Sequence, residues 1–304
     1  MLPHLTADRA AAMPCERVAD WWPRHRAIAA EHAHTIHQAI VGGFVADRVG
    51  WAFASGYQAA LRALFPTAPH DRLCALCVTE ADGNSPKAIR SSFRAASDAW
   101  ILNGSKKWTT LGPEGSLFFV AARDEGAAGE RPAIRIVVVP SESVGLAIEK
   151  MPDTRFVPEV PHAQLRFDGV RVSTQLPGDG YDLYVKPFRT VEDIHVQAAV
   201  LAYLMREGQR LSWPESWVER LSALLAALST LADMPPAQPE THVALAGALR
   251  ISAQLLEEAD ALWLKSPTDP ATMRWQRDRE LLAVAGKARE LRTQRAWEKL
   301  RQAG

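Results

Sequence analysis

The apolar residues of this chain change their spacing twice, and that double switch restricts the fold more than any composition value. From about Cys15 to Phe65 the spacing is helical: Val18, Trp21, Trp22, Ile28 and Ala29 recur along one segment, and a second runs from Val45 to Leu64, where Pro66 stops it. From Asp71 the apolar runs shorten, β-branched residues rise and turns intervene. Leu117-Phe118-Phe119-Val120 and Ile134-Arg135-Ile136-Val137-Val138-Val139 read as strands, and Ala163-Gln164-Leu165-Arg166-Phe167 alternates. Asp124 to Glu130 reads as a surface loop. After Gly178-Asp179-Gly180 the helical period returns, with helices expected near 188–208, 215–232, 240–265 and 270–301 and Pro214, Pro235-Pro236, Pro267 and Pro270 at or near the breaks. Helices, then strands, then helices are segregated elements, so the fold class is α+β rather than alternating α/β. The expected parts are an N-terminal helical region (1–70), a central antiparallel β-domain (71–184) and a C-terminal four-helix bundle (185–304).

Composition narrows the function. The 304 residues are 47% hydrophobic, and 35 basic side chains balance 35 acidic ones. Zero formal charge gives no reason to expect nucleic acid or an anionic membrane as partner. No apolar run reaches the roughly 18 residues of a membrane span. The opening MLPHLTADRAAAMPCERVADWW lacks the apolar stretch of a secretory leader, so a cytoplasmic location is expected. Three cysteines make no disulfide framework. Cys74-Ala75-Leu76-Cys77 has the C-x-x-C spacing, but in a strand the two thiols face opposite sides. Buried free cysteines are the better reading.

The stretch from Leu73 to Arg123 carries the chemistry. Thr79-Glu80-Ala81-Asp82-Gly83-Asn84-Ser85 leaves an apolar strand and enters a polar turn, which points N–H groups and hydroxyls outward and suits a phosphate or a ring edge. About twenty residues on, Asn103-Gly104 stands between Trp100-Ile101-Leu102 and Lys107-Trp108-Thr109, the pattern of a hairpin turn. Strand alternation would put Trp108 and Thr110 on one face. There they form either the wall for a flat redox ring or an ordinary hairpin core.

In this order and spacing, the two pieces resemble the flavin-binding β-domain of the acyl-CoA dehydrogenases, where they usually run T-E-P-x-x-G-S-D and L-N-G-x-K-x-W-I-[TS]-N. Leu165-Arg166-Phe167-Asp168-Gly169-Val170-Arg171-Val172 looks like that family's L-x-F-D-x-V-x-V-P strand, and Leu176-Pro177-Gly178-Asp179-Gly180 like its L-x-G-x-x-G turn. The family's order of α domain, β domain and C-terminal helices is also the order here. The resemblance implies FAD as cofactor and α,β-desaturation of an acyl-CoA or other acyl thioester, with electrons passing to an electron-transfer flavoprotein or to oxygen. It also implies a homodimer or homotetramer. By motif position, Thr79 would touch the flavin ring and Ser85 would approach the pyrophosphate or the CoA ligand. Trp108 would pack beside the ring, and Thr110 would hydrogen-bond near its N5 or the phosphate edge. Such preorganised donors would favour the reduced ring.

The departures are as informative. Ala81, Pro86 and Thr109 stand where the family has Pro, Asp and Ile. About 70 residues precede the β region, fewer than the family usually has there. The C-terminal part lacks the R-x-x-F-G, Q-x-x-G-G and Y-E-G-T patterns, the last of which carries the usual catalytic glutamate. Trp297-Glu298 has no such context. Some members instead place the base at the start of the first C-terminal helix. Here that position is Glu192 or the adjoining Asp193, with Glu192 the candidate catalytic base if burial raises its pKa. The competing reading is an acidic pair complementing the helix dipole. A second function stays open: an inactive homologue that keeps the fold as a flavin- or thioester-binding or scaffold protein.

Two side constellations remain. His25, His32, His34 and His37 cluster near the N-terminus, but no cysteine or carboxylate completes a ligand set beyond the adjoining Glu31, so no metal is expected. Arg274-Trp275 and Arg295-Ala296-Trp297 fit packing better than an interface.

Overall fold

The computed structural model describes residues 14–128 and 131–303. Most of the N-terminal stretch read above for a leader, and Gly129-Glu130 of the surface loop, lie outside them. The described residues form two compact units.

The β unit comprises Leu64–Thr154 and Val160–Arg189. Its strands are β1 (Cys74–Cys77), β2 (Ser92–Ala96), β3 (Ala99–Thr110), β4 (Leu117–Asp124), β5 (Ile134–Pro140), β6 (Leu146–Lys150), β7 (His162–Val172) and β8 (Thr174–Gln175). They make one sheet in the order β6-β7-β3-β2-β4-β5-β8, with β1 also on β4. Most pairings are antiparallel, as expected; β4 runs parallel to β1 and β2. The reason is visible along β4. Leu117 to Ala122 are all buried, the continuous apolar run of a strand covered on both faces. β7 alternates instead, so Ala163, Leu165, Phe167, Val170 and Val172 reach a core that also holds Phe93, Leu102, Phe118 and Val120. Cys74 and Cys77 are buried in β1, and burial pushes the Cys77 thiol up to about 12, so it is an inert packing group.

The Asn103-Gly104 expectation fails. The hairpin turn lies at Ser97-Asp98, between β2 and β3, and Asn103-Gly104 sits inside the continuous strand β3. The pair's left-handed tendency is used for a bulge. Gly104 has φ +129, the β3–β7 register shifts between Leu102 and Gly104, and Asn103 Oδ1 accepts the Gly169 N–H at 2.8 Å.

The helical unit contains the other described residues, including Arg155–Glu159 from the β6–β7 connection. Its helices are α1 (Val18–Glu31), α2 (Thr35–Val45), α3 (Val49–Leu64, all but its last residue), α4 (Lys186–Arg210, from Thr190 on), α5 (Glu215–Ala232), α6 (Pro239–Trp263), α7 (Pro270–Asp278) and α8 (Gly286–Ala303). The fourth expected C-terminal helix is thus two helices, split by a 3-10 turn at Arg279–Ala283. Proline opens several of them, as its fixed φ favours: Pro239 and Pro270 are first residues, and the Asp269 side chain caps α7 by accepting the Ala271 N–H at 2.8 Å. Small residues allow close packing, since a side chain on Gly43 of α2 would overlap the Ala199 carbonyl of α4. Trp213, Trp217, Trp263 and Trp275 stack edge-to-face and face-to-face beneath them, so Trp275 is core. No described helix is long and apolar enough to cross a membrane.

Candidate functional site

One buried ion pair ties the two sequence pieces together. Lys106 of β3 is 1% exposed, and its Nζ donates to Glu80 Oε1 at 2.6 Å and to the Val78 carbonyl at 3.2 Å. Glu80 also accepts the backbone N–H groups of Arg90 (2.7 Å) and Ser91 (3.0 Å), closing the polar turn on itself. Burial opposes ionisation of Glu80, but Lys106 and the two backbone donors outweigh it and hold the carboxyl below its usual range. The pair is therefore structural, and Glu80 is not a base.

A second bulge follows at once. The β3–β7 register shifts between Lys106 and Thr109, and Trp108 takes φ +59, rare for a bulky side chain. Strict alternation from the buried Lys106 would send Trp108 and Thr110 inward. The bulge reverses them. Thr109 goes in, with its hydroxyl on Cys77 Sγ, while Trp108 is left 47% exposed and Thr110 half-buried. Backbone strain of this kind collects at functional sites.

His162 draws the two outward residues together. It pairs directly across from Thr110, with Nε2 3.5 Å from Thr110 Oγ1, and the Trp108 ring meets its edge with centroids 6.2 Å apart. The Trp108 N–H points at Met151 Sδ, 3.3 Å away. Thr79 joins from the other piece, where its carbonyl accepts the Lys107 N–H at 2.9 Å. Trp108 and Thr110 thus face outward around His162, and the half-buried Thr79 meets the same strand through its backbone. Ser85 stands apart on the exposed turn, its Oγ accepting the Ala88 N–H at 3.3 Å.

Glu192 lies in the helical unit. It occupies the second turn of α4, not the first, because a π-turn at Tyr181–Val185 and the residues from Lys186 precede it. Dipole complementation therefore does not account for it. It is half-buried. Asp193 is committed elsewhere, to Arg289 at 2.8 Å and Arg292 at 2.6 Å. His195 bridges the Val191 carbonyl and Thr35, and burial pushes it down to about 4. Of the N-terminal histidines, His25 is buried against Trp21, while His34 and His37 meet edge-on.

Sequence reading missed Lys106, Glu80 and His162 as parts of this site. A lysine at an inward strand position was the available clue to the first two. Nothing local marks His162, whose role comes from cross-strand register.

The profile described as "Acyl-CoA dehydrogenase, middle domain" matches residues 75–170. Benzylmalonyl-CoA dehydrogenase of Aromatoleum aromaticum is 24% identical over 180 residues, 55% of this chain and 46% of that protein. The chain spans less than half the length of the curated relatives it matches. The fold is that of butyryl-CoA dehydrogenase from Megasphaera elsdenii, with TM-score 0.72 at 14% identity over 97% of this chain and 93% of that one. Glutaryl-CoA dehydrogenase from Mycobacterium smegmatis, solved in complex with FADH2, gives 0.60 at 16% identity over 92% and 89%. The profile match contains Thr79, Ser85, Trp108 and Thr110; residues 75–170 are thus similar to the acyl-CoA dehydrogenase middle domain, and the fold is that of the solved acyl-CoA dehydrogenases.

Proposed function

We propose that the chain is an FAD-dependent dehydrogenase acting on the CH–CH bond of an acyl thioester, acyl-CoA being the first candidate. One observation carries this reading: the bulge at Trp108 exposes a large aromatic face beside a hydroxyl instead of burying it in the sheet core. A flat, partly apolar ring fits that patch, with Trp108 as its wall and the Thr79 and Thr110 hydroxyls at its edge. The Ser85 turn offers an exposed hydroxyl for the phosphate end. Bound FAD would supply the hydride acceptor. The chain's own part in catalysis is to orient the ring, to hold hydrogen-bonding groups at its edge and to remove the substrate's α-proton. Glu192 is the proposed base for that proton. Loss of the α-proton and of a hydride from the β-carbon leaves the α,β double bond. The electrons would then leave to an electron-transfer flavoprotein or oxygen, from a homodimer or homotetramer.

The alternative, a binding or scaffold protein without turnover, draws support from the ion-paired Asp193, which leaves Glu192 as the only base proposed. Anaerobic addition of acyl-CoAs to the FAD-loaded protein separates the two. Bleaching of the flavin band that Glu192→Gln abolishes supports the dehydrogenase. Retained bleaching in that variant reassigns the base, and no bleaching with any thioester favours the binding protein.

A further inference from the structure

We propose that His162 is a positioning residue for the ring site, fixing the orientation of Trp108 and the direction in which the Thr110 hydroxyl points its hydrogen. The proposal rests on the flavin reading above and names a residue which that reading does not need.

Trp108 is poorly held by anything else. Its φ is strained, its backbone N–H faces a thioether sulfur, and nearly half its surface is exposed. The edge-to-face contact with His162 is the aromatic contact that restrains its indole among the described residues. His162 itself is anchored. Its carbonyl accepts the Met151 N–H at 2.8 Å, and the preceding Pro161 carbonyl accepts the Leu111 N–H at 2.8 Å. Burial lowers the pKa of the imidazole against an opposing pull from the Val160 carbonyl, so the neutral ring predominates near pH 7. A neutral imidazole has a single N–H. In the tautomer that carries this hydrogen on Nδ1, Nε2 can only accept, so Thr110 donates its hydrogen inward and turns oxygen lone pairs outward. A ring at this patch then meets an acceptor at Thr110, which favours a ring state bearing a hydrogen there.

Two substitutions divide the roles. His162→Phe keeps an aromatic edge against Trp108 and removes the nitrogen that faces Thr110. His162→Gln keeps a polar group and removes the ring contact. FAD affinity and the midpoint potential of the bound flavin are measured for each, with and without Thr110→Val. Expected results are near wild-type affinity with a shifted potential in His162→Phe, no further shift when Thr110→Val is added, and an affinity loss of up to about tenfold in His162→Gln, the worth of one such ring pair. A wild-type protein that binds FAD, with His162→Phe leaving the potential unmoved, or with shifts that add independently to those of Thr110→Val, overturns the His162 role alone. A wild-type protein that binds no FAD overturns both this role and the flavin reading.

Discussion

At the scale of single residues, charge burial decides most outcomes. The Glu80–Lys106 pair is almost wholly buried and joins the two sequence pieces. Lys106→Met would leave a buried carboxylate without its partner, a change that typically costs about 3–5 kcal/mol. Urea unfolding should show a loss of that order, and a loss under about 1 kcal/mol would mean the pair is not buried as described. His25 has the opposite problem. Both ring nitrogens lack a partner, and burial, with Arg62 nearby, pushes its pKa down to about 3. Because the unfolded chain binds this proton more readily, the neutral-His25 contribution is complete above about pH 6.5 and is lost as pH falls towards 3, by up to about 1.4 kcal/mol per pH unit. His25→Phe should flatten the acid slope of unfolding between about pH 6 and pH 4, where His25 and the equally buried His195 titrate. An unchanged slope would remove His25 from the account.

At the scale of elements, the sequence was legible wherever periodicity ruled. The alternation in β7 and the spans of α5 and α6, expected near 215–232 and 240–265, appear in the structure as read. Trp217, Leu221, Leu224, Leu228 and Leu231 are the buried stripe of α5. Reading failed where one local pattern serves two geometries. Asn-Gly supplies left-handed backbone to a hairpin or to a bulge, and only the partner strand decides which. Gly104→Ala tests the bulge. Its Cβ would lie 2.6 Å from Ser91 Cα at a φ that side chains avoid, so a destabilisation of about 1–3 kcal/mol is expected. A neutral result would show that β3 can straighten. The docking of α8 on Asp193 has its own signature. Asp193→Ala removes the carboxylate that Arg289 and Arg292 share, so amide exchange should accelerate across 286–303, while exchange in α5 stays slow. Uniform acceleration through α5 and α6 would instead mean that the helices unfold as one.

At the scale of the whole molecule, the chain combines a β-domain matched over residues 75–170 by the acyl-CoA dehydrogenase middle-domain profile with helices that lack the R-x-x-F-G, Q-x-x-G-G and Y-E-G-T patterns. The candidate ring site was legible as Thr79, Trp108 and Thr110 because they stand within two short motifs. The bulge that turns two of them outward, and His162 that joins them, depend on the partner strand. The central claim is that this outer patch of the β unit holds FAD. The direct measurement is an equilibrium titration of the purified chain with FAD, followed by visible absorption, alongside Trp108→Ala and a thermal scan of each. The account predicts saturable binding by the wild type, a raised melting temperature (about 2.7 kcal/mol of added stability when FAD is at a hundred times its Kd) and clearly weaker binding by Trp108→Ala. Equal affinity in the two proteins, or no flavin bound at any concentration, would contradict it.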